Sequence, residues 1–155
     1  MPSMKQSMRF LQLTDLAMIL DIERSLLKQQ GDEEKHMFTE WHASWRQESL
    51  EFYLPNGWCF GIFDETQNLQ AYFLAQPFLF FQGHMQTLWV EHISSASSEL
   101  TQKLLEVAYK TAREKHLQKL LVKHACLSSK DLTSYTYKER ADLYFELTTT
   151  KMDNP

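Results

Sequence analysis

The stretch Val90–Ala108, VEHISSASSELTQKLLEVA, decides how the rest of the chain is read. Val90–Ile93 ends a strand, Ser94–Ser98 makes a loop of small residues, and a helix is expected over Glu99–Lys115. Leu100, Leu104, Val107, Ala108 and Ala112 recur at helical spacing and form one apolar stripe along it. A strand–loop–helix junction presents free N–H groups and a positive dipole end, the usual place to hold a phosphate. This junction has no glycine, no lysine or arginine before Lys103, and an acid at Glu99. With Ser97 or Ser98 as cap, Glu99 reads as an acid that stabilises the first helical turn.

Working outward, Met8–Thr14 alternates as a first strand, and Thr14 or Asp15 is placed to cap a helix through DLAMILDIERSLLKQQG. Leu16, Ile19, Leu20, Glu23 and Leu27 fall at helical spacing in it, and Gly31 stops it. GDEEKH reads as a polar connection. A second helix is expected over FTEWHASWRQESLEFYL, with Phe38, Trp41, Trp45 and Leu50 on one side and Pro55-Asn56-Gly57 ending it. The period then changes to that of strands: GWCFGIFD, a turn at Glu65–Asn68, LQAYFLAQPFLFFQ, a turn at Gln82-Gly83-His84, and MQTLWVEHI. Pro77 implies a bulge or an edge position. After the Glu99–Lys115 helix, KLLVKH suits a buried strand, and Ser128–Tyr137 carries no clear pattern. ADLYFELTTT closes the chain as a strand, with Ala141, Leu143, Phe145 and Leu147 on one face and Asp142, Tyr144 and Glu146 on the other.

The 155 residues suit one domain over 1–155, with short flexible ends at about 1–7 and 151–155. An aromatic fraction of 13% argues against disorder, and a net charge of −4 gives no basic face for nucleic acid. Cys59 and Cys126 match no metal or redox spacing, which fits a reduced compartment. MPSMKQSMRF lacks a signal peptide's apolar region, and AYFLAQPFLFF is too short and interrupted to span a membrane. A soluble, cytoplasmic protein is the expectation.

The order strand, two helices, three-strand meander, helix, strand, final strand resembles the GNAT family of acyltransferases, which move an acyl group from coenzyme A to an amine. MRFLQLTDLAMILDIE is similar to the family's opening, GWCFGIFDETQNLQAYFLAQP to its second and third strands, and LWVEHI with LTQKLLEVAYKTAREKHLQKLLVKH to its fourth strand, coenzyme-binding helix and fifth strand. The resemblance implies an α/β (α+β) fold with a central mixed sheet flanked by helices. It also implies acetyl-CoA as cofactor, with Val90, Ile93, Ser97, Ser98, Leu100 and Thr101 around it. The family motif Arg/Gln-x-x-Gly-x-Gly/Ala holds the coenzyme diphosphate on backbone N–H groups. Anchored on Leu104-Leu105, its three positions fall on Ala96, Glu99 and Thr101, and all three depart from it. Thr101 would crowd the approach that glycine permits, and Glu99 would set a like charge against the diphosphate.

Acyl transfer to an amine needs a base for the amine and an acid for the leaving thiolate. By the resemblance the base comes from the fourth strand, where Glu91 and His92 lie at the C-terminal end that open α/β sheets use for ligands. Strand neighbours face opposite sides, so one of the two is expected to face a cleft. Tyr135, Tyr137 and Tyr144 are the candidate acids; ADLYFEL has a faint likeness to the family's Ala-x-x-x-Tyr-Glu, but no Gly-Phe follows, and its strict alternation fits a final strand with Tyr144 as a sheet-face aromatic. Only 16 residues separate His124 from Ala141, so part of the family's C-terminal half is expected to be shortened.

The six histidines form no ligand set, and no metal site is expected. Trp41, Trp45, Phe52 and Tyr53 read as a core cluster, with an acceptor groove as the alternative. Leu79–Phe81, if on an exposed edge, would supply the contact of a homodimer. Two functions of different class follow: transfer from acetyl-CoA to a small-molecule or protein amine, or a non-catalytic module of the same fold that has lost the coenzyme and binds a protein or small ligand.

Overall fold

The structure, a computed structural model, describes residues 5–29, 31, 33–81, 84–140 and 144–149. Among these residues seven strands form one sheet in the order β1-β2-β3-β4-β5-β7-β6. They are β1 (Ser7–Phe10), β2 (Phe60–Phe63), β3 (Leu69–Phe81), β4 (His84–Ser94), β5 (Lys119–Lys123), β6 (Tyr137–Arg140) and β7 (Tyr144–Thr148). β4 and β5 run parallel, and the other neighbours are antiparallel. The helices are α1 (Leu16–Gln29), α2 (Glu33–His42), α3 (Gln47–Tyr53) and α4 (Ser98–Glu114). Among the described residues, no helix is long and apolar enough to cross a membrane.

Two apolar cores lie on opposite faces of the sheet, as alternating side chains of β2–β4 require. One face packs Leu104, Leu105, Ala108 and Ala112 of α4 against Phe73, Ala75, Leu88, Val90, Leu120 and Val122. The other packs Ile19 and Leu20 of α1 and Leu50 and Tyr53 of α3 against Phe63, Tyr72 and Leu74. Gly61 lies where there is no room for more: a Cβ there would meet Leu11 Cδ2 at 2.8 Å and Leu69 Cδ1 at 2.9 Å. Gly61→Ala is expected to cost about 1–2 kcal/mol, read as a lower urea midpoint at unchanged slope. An unchanged midpoint would mean the two leucines move aside freely.

The entry to α1 differs from the expected cap. A 3-10 turn, Leu13–Asp15, runs directly into α1, and the Asp15 carboxylate turns back to accept the Gln12 N–H at 2.7 Å. It also accepts two bonds from the Arg9 guanidinium, at 2.8 and 2.9 Å, tying β1 to the helix start. The Arg9 hydrogen bonds hold the Asp15 carboxyl below its ordinary value of 3.8 although it is buried. A depressed folded pKa stabilises the fold above the unfolded value, and this is lost as pH falls through the folded one. Asp15→Asn should therefore unfold at lower urea than the parent at pH 7, the two converging below about pH 4. A constant gap across that range would deny the charge its role.

The expected second helix is two helices, and GDEEKH is not a connection, because α2 begins at Glu33. The break falls at Ala43–Arg46, where Arg46 is extended (φ −61°, ψ 156°). Its guanidinium donates to the Trp41 carbonyl at 3.0 Å and covers the Trp41 ring at 4.9 Å, closing the end of α2. The break separates the aromatic stripe: Trp45 and Leu50 are buried, whereas Phe38 and Trp41 are 71% and 62% exposed. The cluster of Trp41, Trp45, Phe52 and Tyr53 divides likewise, with Trp45 and Tyr53 buried and Trp41 and Phe52 exposed.

Pro77 stands opposite Leu88, beyond the stretch of β3 that pairs with β2, so its missing N–H removes no bond on that side. The Ser128–Tyr137 stretch becomes a 3-10 turn at Ser129–Leu132 and the start of β6. The described chain between β5 and β6 thus has short 3-10 turns and no α-helix. Gln82, Gly83 and Ala141–Leu143 lie outside the described residues, as do the side chains of Leu79–Phe81.

Candidate active site at the end of the fourth strand

β4 and β5 pair from Thr87 with Lys119 to Val90 with Val122, and the ladder stops there. On its other side β4 carries a bulge. The register moves from Leu74 opposite His92 to Ala75 opposite Val90, leaving Glu91 as the extra residue. A bulge of this kind changes the phase of the strand. Val90 and Ile93 pack into the α4-side core, while Glu91 and His92 both make their contacts on the α1–α3 side. The expectation that only one of the two faces a cleft is therefore corrected; strict alternation fails at the bulge.

The two side chains have different surroundings. The Glu91 carboxylate accepts Trp89 Nε1–H at 2.7 Å, the Ser44 hydroxyl at 3.1 Å and Lys123 Nζ at 3.2 Å. Its charge is thus committed to an ion pair that spans β4 and β5 just past their last ladder pair. Together with burial, which acts more strongly, that charge raises the pKa of the Tyr53 hydroxyl. His92 instead turns Nε2 toward Glu23 Oε1 at 3.5 Å, and its ring lies 5.5 Å from that of Tyr72. Tyr72 donates its hydroxyl to the same Glu23 oxygen at 2.7 Å. Burial pushes the Glu23 carboxyl up, but His92 and Tyr72, with Ser94 nearby, together hold it below 4.5.

Glu23 was not singled out as a site residue from the sequence. Its signal was there: an acid at a core position of the α1 stripe, now only 7% exposed. Asp131 was missed as well, although Ser128-x-x-Asp131 has capping-box spacing.

At the head of α4 the hydroxyls close on one another. Ser97 Oγ caps the helix by accepting the Leu100 N–H at 3.2 Å. Thr101, 8% exposed, donates its hydroxyl to the Ser97 carbonyl and lies in close hydrogen-bond contact with Ser95. Its N–H also goes to the Ser97 carbonyl. Ser98 Oγ donates to Asp131 at 3.0 Å. The Ser98 and Glu99 N–H groups have no acceptor among the described residues. Glu99 points outward, its side chain 80% exposed and 3.6 Å from Lys103. The acid that reaches the start of this helix is Asp131, through Ser98.

Beyond the β4–β5 ladder a 3-10 turn, His124–Cys126, lies along the edge that β5 has left. Cys126 Sγ is 3.8 Å from the Glu91 carbonyl. Burial pushes this thiol up to about 11, so it is no ready nucleophile. Tyr144 opens β7 opposite Lys123, and its side chain lies outside the described structure. Tyr135 and Tyr137 pack on the α4-side core, Tyr135 against Tyr109 and Tyr137 against Phe145, away from His92.

Comparison of the whole fold gives these positions a context. PaiA N-acetyltransferase from Thermoplasma acidophilum, solved with coenzyme A, superposes with a TM-score of 0.63 at 11% identity, over 94% of this chain and 99% of that one. YncA from Salmonella typhimurium, solved with acetyl-CoA, gives 0.62 at 14% identity over 97% of each chain. A polyamine N-acetyltransferase from Drosophila melanogaster gives 0.60 at 12% identity, over 93% of this chain and 98% of that one. The chain has the fold of the GNAT N-acetyltransferases. No protein-family profile matches the sequence, and no curated protein matches it.

Proposed function

We propose that this chain transfers an acetyl group from acetyl-CoA to a primary amine of a small molecule or a protein, with His92 as general base. The observation that carries the reading is the bulge at Glu91, which brings His92 to the α1–α3 face at the point where β4 and β5 part. Between the two candidates, His92 is favoured because the Glu91 carboxylate is already held by Trp89, Ser44 and Lys123. With Nε2 toward Glu23, Nδ1 of His92 has no partner among the described residues and is free to accept the amine's proton. The amine nitrogen then bonds the acyl carbon, the carbon–sulfur bond breaks, and the sulfur takes a proton, for which Tyr144 is the proposed donor. Acetyl-CoA supplies the activated acyl group. Its diphosphate would meet the Ser98 and Glu99 N–H groups at the head of α4, and its arm would displace Cys126 from the Glu91 carbonyl.

A second reading has an observation of its own. The Ser95, Ser97 and Thr101 hydroxyls bond one another and the local backbone, and Ser98 is taken by Asp131. A module that had given up the coenzyme could fold its loop in this way and bind a protein or small ligand instead. Release of free thiol from acetyl-CoA, followed across a panel of primary amines, separates the two. The transferase reading expects amine-dependent release. No release with any amine, and no acetyl-CoA bound, would leave the second reading. A cytoplasmic place and a homodimer through Leu79–Phe81 belong to the same proposal.

A further inference from the structure

Glu23 is a buried carboxylate with no lysine or arginine against it among the described residues. Arg24, its neighbour on α1, pairs with Glu40 instead. The groups that face Glu23 are Tyr72 of β3 and His92 and Ser94 of β4, with buried Cys59 near Tyr72. An ionised carboxylate is tolerated in such a place only when hydrogen-bonded and paired, and among the described residues the one group here able to carry positive charge is His92. His92 in turn is 21% exposed, so its ring connects the buried acid to solvent at the end of β4. The Tyr72 hydroxyl, at 2.7 Å from Glu23 Oε1, fixes the carboxylate from the side opposite α1.

We infer that Glu23 is a positioning residue for His92: held by Tyr72, its carboxylate engages Nε2 and so presents Nδ1 to the incoming amine. The inference rests on the transferase reading for its chemistry, but the pair itself is a property of the folded chain. While His92 gains a proton at Nδ1, the Glu23 charge stabilises the imidazolium, and the proton need not pass to Glu23. A carboxylate backing a histidine in this way fixes the ring as well as compensating its charge. The geometry places this acid on α1, a different element from the base, so the packing of α1 on the sheet sets the alignment.

Two measurements test it, one without activity. In the first, urea stability is measured for the parent, His92→Gln, Glu23→Gln and the double variant, at pH 7 and at successively lower pH. At pH 7, His92→Gln should lose more stability in the parent than in the Glu23→Gln background, because glutamine keeps a donor for Glu23 but removes the group that can offset its buried charge. That excess should disappear as pH falls below the ordinary carboxylate value of 4.5, where Glu23 takes up a proton. Equal losses in both backgrounds, or an excess indifferent to pH, would overturn the pairing. In the second, Glu23→Gln should lower kcat for amine acetylation about tenfold or more at unchanged KM for acetyl-CoA, with Glu23→Asp recovering part of it. A fall in both variants carried wholly by KM would overturn the positioning role. If Glu23→Gln does not fold, Tyr72→Phe keeps the charge but releases the carboxylate, and should show the same kcat-only loss. An intact pair in a chain without transfer would condemn the transferase reading and leave the pairing standing.

Discussion

Replacing His92 with glutamine is expected to lower the rate of amine acetylation by about 10²–10⁴-fold while leaving acetyl-CoA affinity within a few-fold of the parent. Glutamine keeps a hydrogen-bonding group near Glu23 but has no nitrogen that takes up a proton at neutral pH. The loss should therefore fall on kcat, and a strongly basic medium should recover part of it by deprotonating the amine in solution. Glu91→Gln is the informative contrast. It removes the charge facing Lys123 at 3.2 Å but leaves the Ser44 and Trp89 contacts available, so a loss under about tenfold is expected. Steady-state kinetics on both variants assign the role. If Glu91→Gln is the more damaging and His92→Gln is nearly silent, the base has been placed on the wrong residue of the bulge.

The second large effect concerns the fold. Leu104→Ala should destabilise the domain by about 2–5 kcal/mol, measured by urea or thermal unfolding. Leu104 is fully buried and packs with Val90 and Leu120 in the core that α4 shares with the sheet. Its loss removes transfer free energy and leaves a cavity that a helix clamped at Ser97 cannot readily close. Against a usual total of about 5–15 kcal/mol, the variant would be on the edge of unfolding. A cost below about 1 kcal/mol would mean that α4 sits loosely on the sheet, and the junction could then rearrange at little cost.

What the sequence made legible follows from how local each signal is. The α4 stripe and its Ser97 cap are set by contacts within a few residues, and they appear in the structure where the pattern puts them. The β2–β3 turn is similarly local: Asp64 accepts the Thr66 and Asn68 N–H groups at 2.8 and 3.0 Å. The Glu91 bulge is different. No glycine or proline marks it on β4, and it exists only in the register against Leu74 and Ala75, residues far away in the chain. The helix break at Ala43–Arg46 gives no proline or glycine signal either; Arg46 on Trp41 supplies it. For the candidate site, Glu91 and His92 could be singled out from their strand, but the division of their surroundings could not. That division depends on Lys123 and Ser44 meeting one, and Glu23 and Tyr72 the other.

The head of α4 was read as a like charge set against a diphosphate, and the geometry moves the difficulty elsewhere. Glu99 turns outward to Lys103, while Thr101 is folded inward and Asp131 takes Ser98. Two N–H groups, of Ser98 and Glu99, remain for a phosphate. Cys126 stands against the edge of β4, its Sγ 3.8 Å from the Glu91 carbonyl.

The most direct test is a calorimetric titration of the purified chain with acetyl-CoA at low salt. The account predicts saturable one-to-one binding with a dissociation constant on the order of micromolar to a few hundred micromolar, within the usual range for such substrates. Absence of binding at millimolar acetyl-CoA by the folded chain would contradict it.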